Sequence, residues 1–299
     1  MKTPVGRMAP TPSGQLHLGN VCSFAAAWLS ARARGGRLLL RVEDIDTTRA
    51  RPEVEADQRA ELEWLGLTWD EETPKQSLRD YADAIAALAP VTYFCECSRA
   101  QIKASGGVYL GTCRDKRLER GALRFRLPDG PVSFVDRRWG PRQEDPSRFG
   151  DPVLRRADGL LSYNLAVVVD DIRDGVTEVV RGADLLDYSA VQMHLWRALG
   201  ASPPTWLHGP LILGVDGRKL SKSHDAFHVG ALRAAGWEPQ HVWALALPWL
   251  GLPKGIDRLQ DAAPLFRPTA GHLGPILLRL GDGLAPPPGT PIPWHPLPG

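Results

Sequence analysis

No stretch of about 18 consecutive apolar residues occurs in the 299-residue chain, which excludes an ordinary membrane-spanning helix. The opening segment, Met1 to Gly14, has turn residues where a secretory signal needs an apolar run. A soluble, cytoplasmic protein without membrane contact is therefore expected. Net charge is almost absent: 36 Lys and Arg stand against 34 Asp and Glu, a formal +2. No global field draws the chain to a polyanion, so any RNA contact has to use a local patch. Cysteine is scarce at four residues, too few for a disulfide scaffold of this length. Three of them, Cys95, Cys97 and Cys113, fall within 19 residues, a clustering that suits a metal better than a disulfide. Apolar residues are plentiful at 43%, enough to bury a core and exclude disorder for most of the chain.

The periodicity predicts an α/β organisation. Val21, Phe24, Ala25, Trp28 and Leu29 recur at helical spacing, and Gly35-Gly36 follow where a helix stops. Arg37 to Asp46 reads as a buried strand ending in three carboxylates. Pro52 opens a helix running through Leu65, and a further helix near Tyr81 to Leu88 is stopped by Pro90. Between about Tyr93 and Arg148 the texture changes to short strand-like pieces, Ala122 to Leu127 and Val132 to Val135, among Gly and Pro signals. This segment reads as an insertion into one sheet domain. From Arg114 to Arg148 it carries ten basic against six acidic residues, which suits a solvated face or, alternatively, an RNA-facing patch. Strand-like and helical stretches resume at Leu160 to Val169, Val176 to Val180 and Leu185 to Leu199, and helices are expected around Val229 to Ala235 and His241 to Leu250. The last 14 residues hold seven prolines and suit an extended tail.

Three constellations carry chemistry. Arg7 to Asn20, a Pro/Gly loop directly before the first helix, presents orphan backbone N–H groups and a positive dipole end to a phosphate, with His17 as a donor and Gly19 permitting close approach. Asp216 to Ser223 alternates ammonium and hydroxyl groups, Lys219, Ser221, Lys222 and Ser223, on a Gly turn, and can close over a polyphosphate. Cys95-Glu96-Cys97 with Cys113 offers three thiolates of a tetrahedral zinc site. No histidine lies between Tyr93 and Arg148, so Tyr109, Glu96 and Asp115 are the local choices for a fourth ligand.

The first two segments together resemble the paired signatures of class I aminoacyl-tRNA synthetases; Asn20 stands where the first usually has histidine. Arg7, Ala9-Pro10, Pro12-Ser13-Gly14, Leu16-His17, Arg41 to Asp46, Leu161 to Asp171 and Val180 to Leu185 are similar to the glutamyl branch. The resemblance implies a Rossmann-like catalytic domain with a zinc-binding α+β insertion and a short helical C-terminal part. It divides the chain into 1–92 and 151–223 as the two catalytic halves, 93–150 as the insertion, 224–285 as a small helical region and 286–299 as the tail. It implies ATP held by His17, Gly19, Asn20, Lys219, Ser221 and Lys222, with His17 and Lys222 catalytic. L-glutamate would be held by Arg7, Met8, Ala9, Pro10, Thr11, Glu43, Tyr163 and Arg181, the guanidinium groups taking carboxylates and Glu43 the ammonium. Magnesium would arrive with ATP.

The cysteine segment is similar to the Cys-x-Cys…Tyr-x3-Cys zinc site of short glutamyl-synthetase-like proteins that modify queuosine in tRNA, which makes Cys95, Cys97, Tyr109 and Cys113 the implied structural zinc ligands. Only 76 residues follow Ser223, too few for the helical anticodon-binding region of a complete glutamyl-tRNA synthetase. The expected activity is tRNA-independent activation of glutamate, followed by transfer to queuosine in the anticodon of tRNA(Asp), by a monomer. A truncated synthetase charging a tRNA 3′ end, or a non-catalytic tRNA-binding paralogue, is the alternative.

Overall fold

In the computed structural model, residues 3–213 and 228–268 are described, with the backbone of 276–277. β1 (Val5–Met8) runs through a Pro/Gly loop into α1 (Leu18–Arg32), and β2 (Arg37–Leu40) returns parallel to β1, pairing Val5 with Arg37 and Met8 with Leu40. α2 (Pro52–Trp64) carries the chain to β3 (Glu71–Glu72), which pairs parallel on the far side of β2, and then to α3 (Ala82–Ala87). The expected strand from Arg37 to Asp46 is therefore too long. The hydrogen bonding does continue, with Arg41 N–H donating to the Met8 carbonyl at 3.0 Å and Glu43 N–H to the Pro10 carbonyl at 2.9 Å. It cannot be reciprocated, because Pro10 and Pro12 have no N–H. Beyond Leu40 the chain follows β1 as a one-sided ladder, which leaves Arg41 and Glu43 on the inner side of the site.

The middle of the chain builds β4 (Thr92–Cys95), α4 (Arg99–Ala104), β5 (Ala122–Phe125), β6 (Val132–Asp136), β7 (Gly140–Glu144) and β8 (Val153–Arg155). The two strand-like pieces expected here form and join different sheets. β5 lies between β4 and β8 in a small antiparallel sheet, whereas β6 and β7 form a hairpin whose β6 edge pairs parallel with a later strand at Asp136 and Trp206. The chain then forms α5 (Tyr163–Arg173), β9 (Glu178–Gly182), α6 (Ser189–Ala198), β10 (Thr205–Gly209) and β11 (Ile212–Leu213). β9 and β10 pair parallel, setting Arg181 beside His208, and give the sheet order β7-β6-β10-β9. Thr177 N–H donates to the Val5 carbonyl at 2.9 Å, tying the entry of β9 to β1. α7 (Val229–Ala234), α8 (Pro239–Trp249) and α9 (Leu259–Ala262) follow, and β12 (Ile276–Leu277) pairs with β11. No described helix is long and apolar enough to cross a membrane.

α1 holds these parts together. Its Ala- and Leu-rich sequence is buried from Leu18 to Ala31 on most positions and contributes Val21, Ala25, Trp28 and Leu29 to a core that also takes Met8, Leu38, Leu40, Trp243 and Leu247. A helix apolar on most sides is one covered on most sides. It stops where expected: Gly35 takes φ +62°, and at Gly36 a Cβ would stand 2.6 Å from the Pro4 carbonyl.

The basic excess of 114–148 is largely absorbed by partners. Arg114 forks onto Asp151, Arg137 meets Glu178, Arg148 reaches Asp187 and Glu144, Arg126 reaches Asp115, and Arg120 lies 3.4 Å from Glu96. Several of those carboxylates lie outside the segment, so the local count overstated the free positive charge.

Candidate active site

A cavity of about 400 Å³ opens where β1, the start of α1 and the end of β9 converge. Arg7, Ala9, Pro10, Thr11, His17, Gly19, Asn20, Glu43, Tyr163 and Arg181 all line it. These residues come from four segments of the sequence, and the fold brings them to one place. Met8 is the exception: its side chain is fully buried in the α1 core and does not line the cavity. Strand alternation is the reason, since neighbouring residues of β1 point to opposite faces and Arg7 takes the cavity side. Lys219, Ser221 and Lys222 lie outside the described residues.

His17 caps α1. Gly19 N–H donates to His17 Nδ1 at 3.1 Å, while His17 N–H donates to Asn20 Oδ1 at 3.1 Å, a reciprocal capping box. Because Nδ1 accepts, the proton of the neutral ring sits on Nε2. The asparagine that departs from the usual signature thus has a local task at the cap. Gly19 has one as well, since a Cβ there would stand 2.9 Å from His17 Cε1, so a side chain at this position would have to displace the capping ring.

The β1 wall of the cavity rests on a buried lattice of charges. Arg7 Nε donates to Asp171 Oδ1 at 3.0 Å and Arg7 Nη1 to the Val180 carbonyl at 3.2 Å. Arg41, fully buried, donates to the same Asp171 oxygen at 2.6 Å, to Glu43 Oε1 at 3.1 Å and to Asp174 Oδ2 at 3.0 Å. Arg79 and Tyr81 extend the lattice through Asp174 and Asp170. Burial opposes ionisation of Asp171, yet Arg7 and Arg41 hold its carboxyl below the ordinary range. Burial instead pushes Glu43 up, against the pull of Arg41 and Arg7. A cationic ligand group beside Glu43 would favour its charged form.

The β9 wall is different. Arg181 is 7% exposed, and its hydrogen bonds go to His208 Nε2 at 3.0 Å, Gln192 Oε1 at 2.6 Å, Ser189 Oγ at 2.9 Å and the Leu185 carbonyl at 3.2 Å. All of these acceptors are neutral. Its Cζ lies 4.8 Å from the centre of the Trp206 ring, and the Tyr163 phenol also interacts with it. Burial lowers its pKa, the signature of a charge short of compensation. His208, Gln192, Ser189, Asp136 and Asp171 were not singled out from sequence as site residues. Their signals are distributed, because each meets its arginine or histidine only through sheet and helix packing.

A second cluster lies away from the cavity. Cys95, Cys97 and Cys113 place their sulfurs within 4.8 Å of one another, with Cys97 and Cys113 at 3.6 Å. Zinc–sulfur bonds of 2.3 Å at tetrahedral angles put two sulfurs about 3.8 Å apart, so the trio fits a metal. The Tyr109 phenol oxygen accepts from Cys113 N–H at 2.8 Å, which brings it beside the trio.

The fold and this site define a class, and the comparisons agree. The family of class I tRNA synthetases (E and Q), catalytic domain, matches residues 5–253, and the chain belongs to that family. Within the family its relatives include proteins named glutamyl-Q tRNA(Asp) synthetase. Glutamyl-Q tRNA(Asp) synthetase of Xanthomonas axonopodis pv. citri is 48% identical over 283 residues, 92% of each chain. The proteins of that name from Symbiobacterium thermophilum and Nitratidesulfovibrio vulgaris are 46% and 45% identical, over 79% and 77% of this chain and 83% and 81% of theirs. Among solved structures, the glutamate-tRNA synthetase of Elizabethkingia anophelis superposes with a TM-score of 0.82 at 25% identity, covering 94% of this chain and 69% of that one. A glutamate tRNA ligase from Elizabethkingia meningosepticum, in complex with its amino acid, gives 0.77 at 25% identity, covering 92% of this chain and 67% of that one.

Proposed function

We propose that the chain activates L-glutamate with ATP, without needing tRNA, and transfers it to the queuosine base in the anticodon of tRNA(Asp). The observation that carries the glutamate assignment is Arg181, a buried guanidinium with neutral partners, sharing one cavity with Arg7, Glu43 and the capped start of α1. An α-amino dicarboxylate matches that set: Glu43 takes the ammonium and the guanidinium groups take carboxylate charge. The α-carboxylate has to react, so the carboxylate clamped at Arg181 is that of the side chain.

In the first step the α-carboxylate oxygen attacks the α-phosphorus of ATP, and the bond to pyrophosphate breaks as pyrophosphate leaves with magnesium. No general base is needed, because the carboxylate is already ionised at neutral pH. The Nε2–H of His17 and the α1 N-terminus stabilise developing negative charge, together with Lys222 from its segment. In the second step a queuosine hydroxyl attacks the glutamyl carbonyl and AMP leaves. The curated relatives' name supports that acceptor.

The thiol trio and Tyr109 would hold one structural zinc ion, which joins β4 to the loop before β5; burial otherwise pushes the Tyr109 phenol up to about 12. Metal analysis of the purified protein is expected to find one zinc per chain, and Cys113→Ser to lose it with a lower melting temperature; zinc-free wild type contradicts the site. The division 1–92, 93–150, 151–223, 224–285 and 286–299 belongs to the same proposal. Labelled glutamate and ATP supplied with tRNA(Asp), with or without queuosine, tests the acceptor. Label retained only on the queuosine-bearing RNA and lost on removing its anticodon supports the reading; label at the 3′ end, or none, overturns it.

A further inference from the structure

Three neighbouring strands, β9, β10 and β6, carry Arg181, His208 and Asp136; Arg181 is in register with His208, and Asp136 with Trp206, two residues before His208 on the same strand. Asp136 is immobilised at both oxygens. Its Oδ1 accepts from the N–H groups of Arg138 and Trp139, each at 2.9 Å, and its Oδ2 accepts from His208 N–H at 3.1 Å and lies 2.7 Å from His208 Nδ1. His208 and Asp136 are both wholly buried. A carboxylate so engaged only accepts, so the Nδ1 of His208 carries the proton and donates it. Its Nε2 is then a lone pair, and it faces the Nε–H of Arg181 at 3.0 Å.

This arrangement solves a specific problem. A carboxylate placed directly on Arg181 would orient the guanidinium but also neutralise it, as Asp171 does for Arg7 on the opposite wall. An imidazole between the two carries the orientation across the sheet and keeps the acidic group one ring away. With Nε fixed by His208, Nη1 by Gln192, Nη2 by Ser189 and the face by Trp206, the plane of the guanidinium is set while its charge is kept for a ligand.

We infer that His208, locked as the Nδ1–H tautomer by Asp136, is a positioning residue that aims Arg181 at the side-chain carboxylate of glutamate. The inference rests on the glutamate reading above. The charged groups around the ring are Arg181, Asp136 and Asp184; burial and Arg181 push the His208 pKa down to about 4 despite the acidic neighbours, so the ring is neutral throughout the working range.

The test is glutamate-dependent exchange of pyrophosphate into ATP, with KM measured separately for glutamate and ATP. His208→Phe keeps a buried ring without the acceptor and is expected to raise the glutamate KM about 10- to 100-fold, the worth of a charge-assisted hydrogen bond. The ATP KM should stay within about twofold. His208→Gln, whose amide oxygen can accept from Arg181, should recover most of the loss. Asp136→Asn lets the ring turn its proton toward Arg181, and it should raise the glutamate KM at nearly unchanged volume, which keeps the test available where His208→Phe does not fold. A wild-type glutamate KM in folded His208→Phe or Asp136→Asn overturns the inference, as do parallel losses for both substrates or a glutamine variant as impaired as the phenylalanine one. A wild type without any glutamate-dependent exchange overturns the glutamate reading itself, and those two failures are distinct.

Discussion

The two walls of the cavity use arginine in opposite ways. On the β1 side Arg7 and Arg41 share one Asp171 oxygen, and Asp174, Asp170 and Glu43 surround them, so the charges compensate one another inside the protein. On the β9 side the acceptors that Arg181 meets among the described residues are uncharged, and Asp136 is held behind His208. On the first wall Asp171 already neutralises Arg7 and Arg41, and Glu43 is the group left to meet a ligand's charge. The second is a receptor whose desolvation cost is recovered only when an anion enters. The same residue type therefore marks stability in one place and recognition in the other, and only the partners distinguish them.

Removing a charge from each wall should separate the two roles. The largest effect is expected from Asp171→Ala, which strands Arg7 and Arg41 as buried unpaired cations and should cost about 3–5 kcal/mol of stability in urea unfolding. A loss below about 1 kcal/mol would show that the lattice does not depend on its shared oxygen. Next comes Arg181→Ala, expected to raise the glutamate KM about a hundredfold while leaving the ATP KM and the unfolding midpoint nearly unchanged. Equal losses for both substrates would move Arg181 into the scaffold class.

Acid should then weaken the receptor wall through His208. An ordinary histidine titrates near 6.5, whereas this ring stays neutral down to about 4. Between those values the unfolded chain binds a proton that the folded chain refuses. The contribution is therefore fully present above about 6.5 and lost as pH falls toward 4, amounting to roughly 2–3 kcal/mol. Unfolding followed between about pH 7 and 4.5 should show a smaller slope in His208→Gln than in wild type; equal slopes would contradict the neutral ring. The smallest effect is Asn20→Ala, which removes half of the capping box and should cost about 1 kcal/mol in thermal unfolding.

How much of this was legible follows the range of each interaction. His17 and Asn20 are three residues apart, and Arg7, Glu43, Tyr163 and Arg181 sit in recognisable segments, so these cavity-lining residues could be named from sequence. The Met8 side chain turns away from the cavity because a contiguous motif on a strand alternates between its two faces. The supporting shell was not legible: Asp136 lies 72 residues from His208, and Asp171 lies 130 from Arg41. No local pattern links such pairs, which only the sheet order β6-β10-β9 and the placement of α5 bring together. The strand predicted through Asp46 failed for a readable reason, the prolines facing it at positions 10 and 12, whose missing donors stop the ladder at Leu40.

If the cavity between these walls selects its amino acid by charge, glutamate and glutamine should part company in it. Pyrophosphate exchange into ATP without RNA, run side by side with glutamate and with glutamine, tests this most directly. The predicted result is exchange with glutamate and at most about a hundredth of that rate with glutamine, which has no charge to offer Arg181. Equal exchange with both amino acids, or with neither, would contradict it.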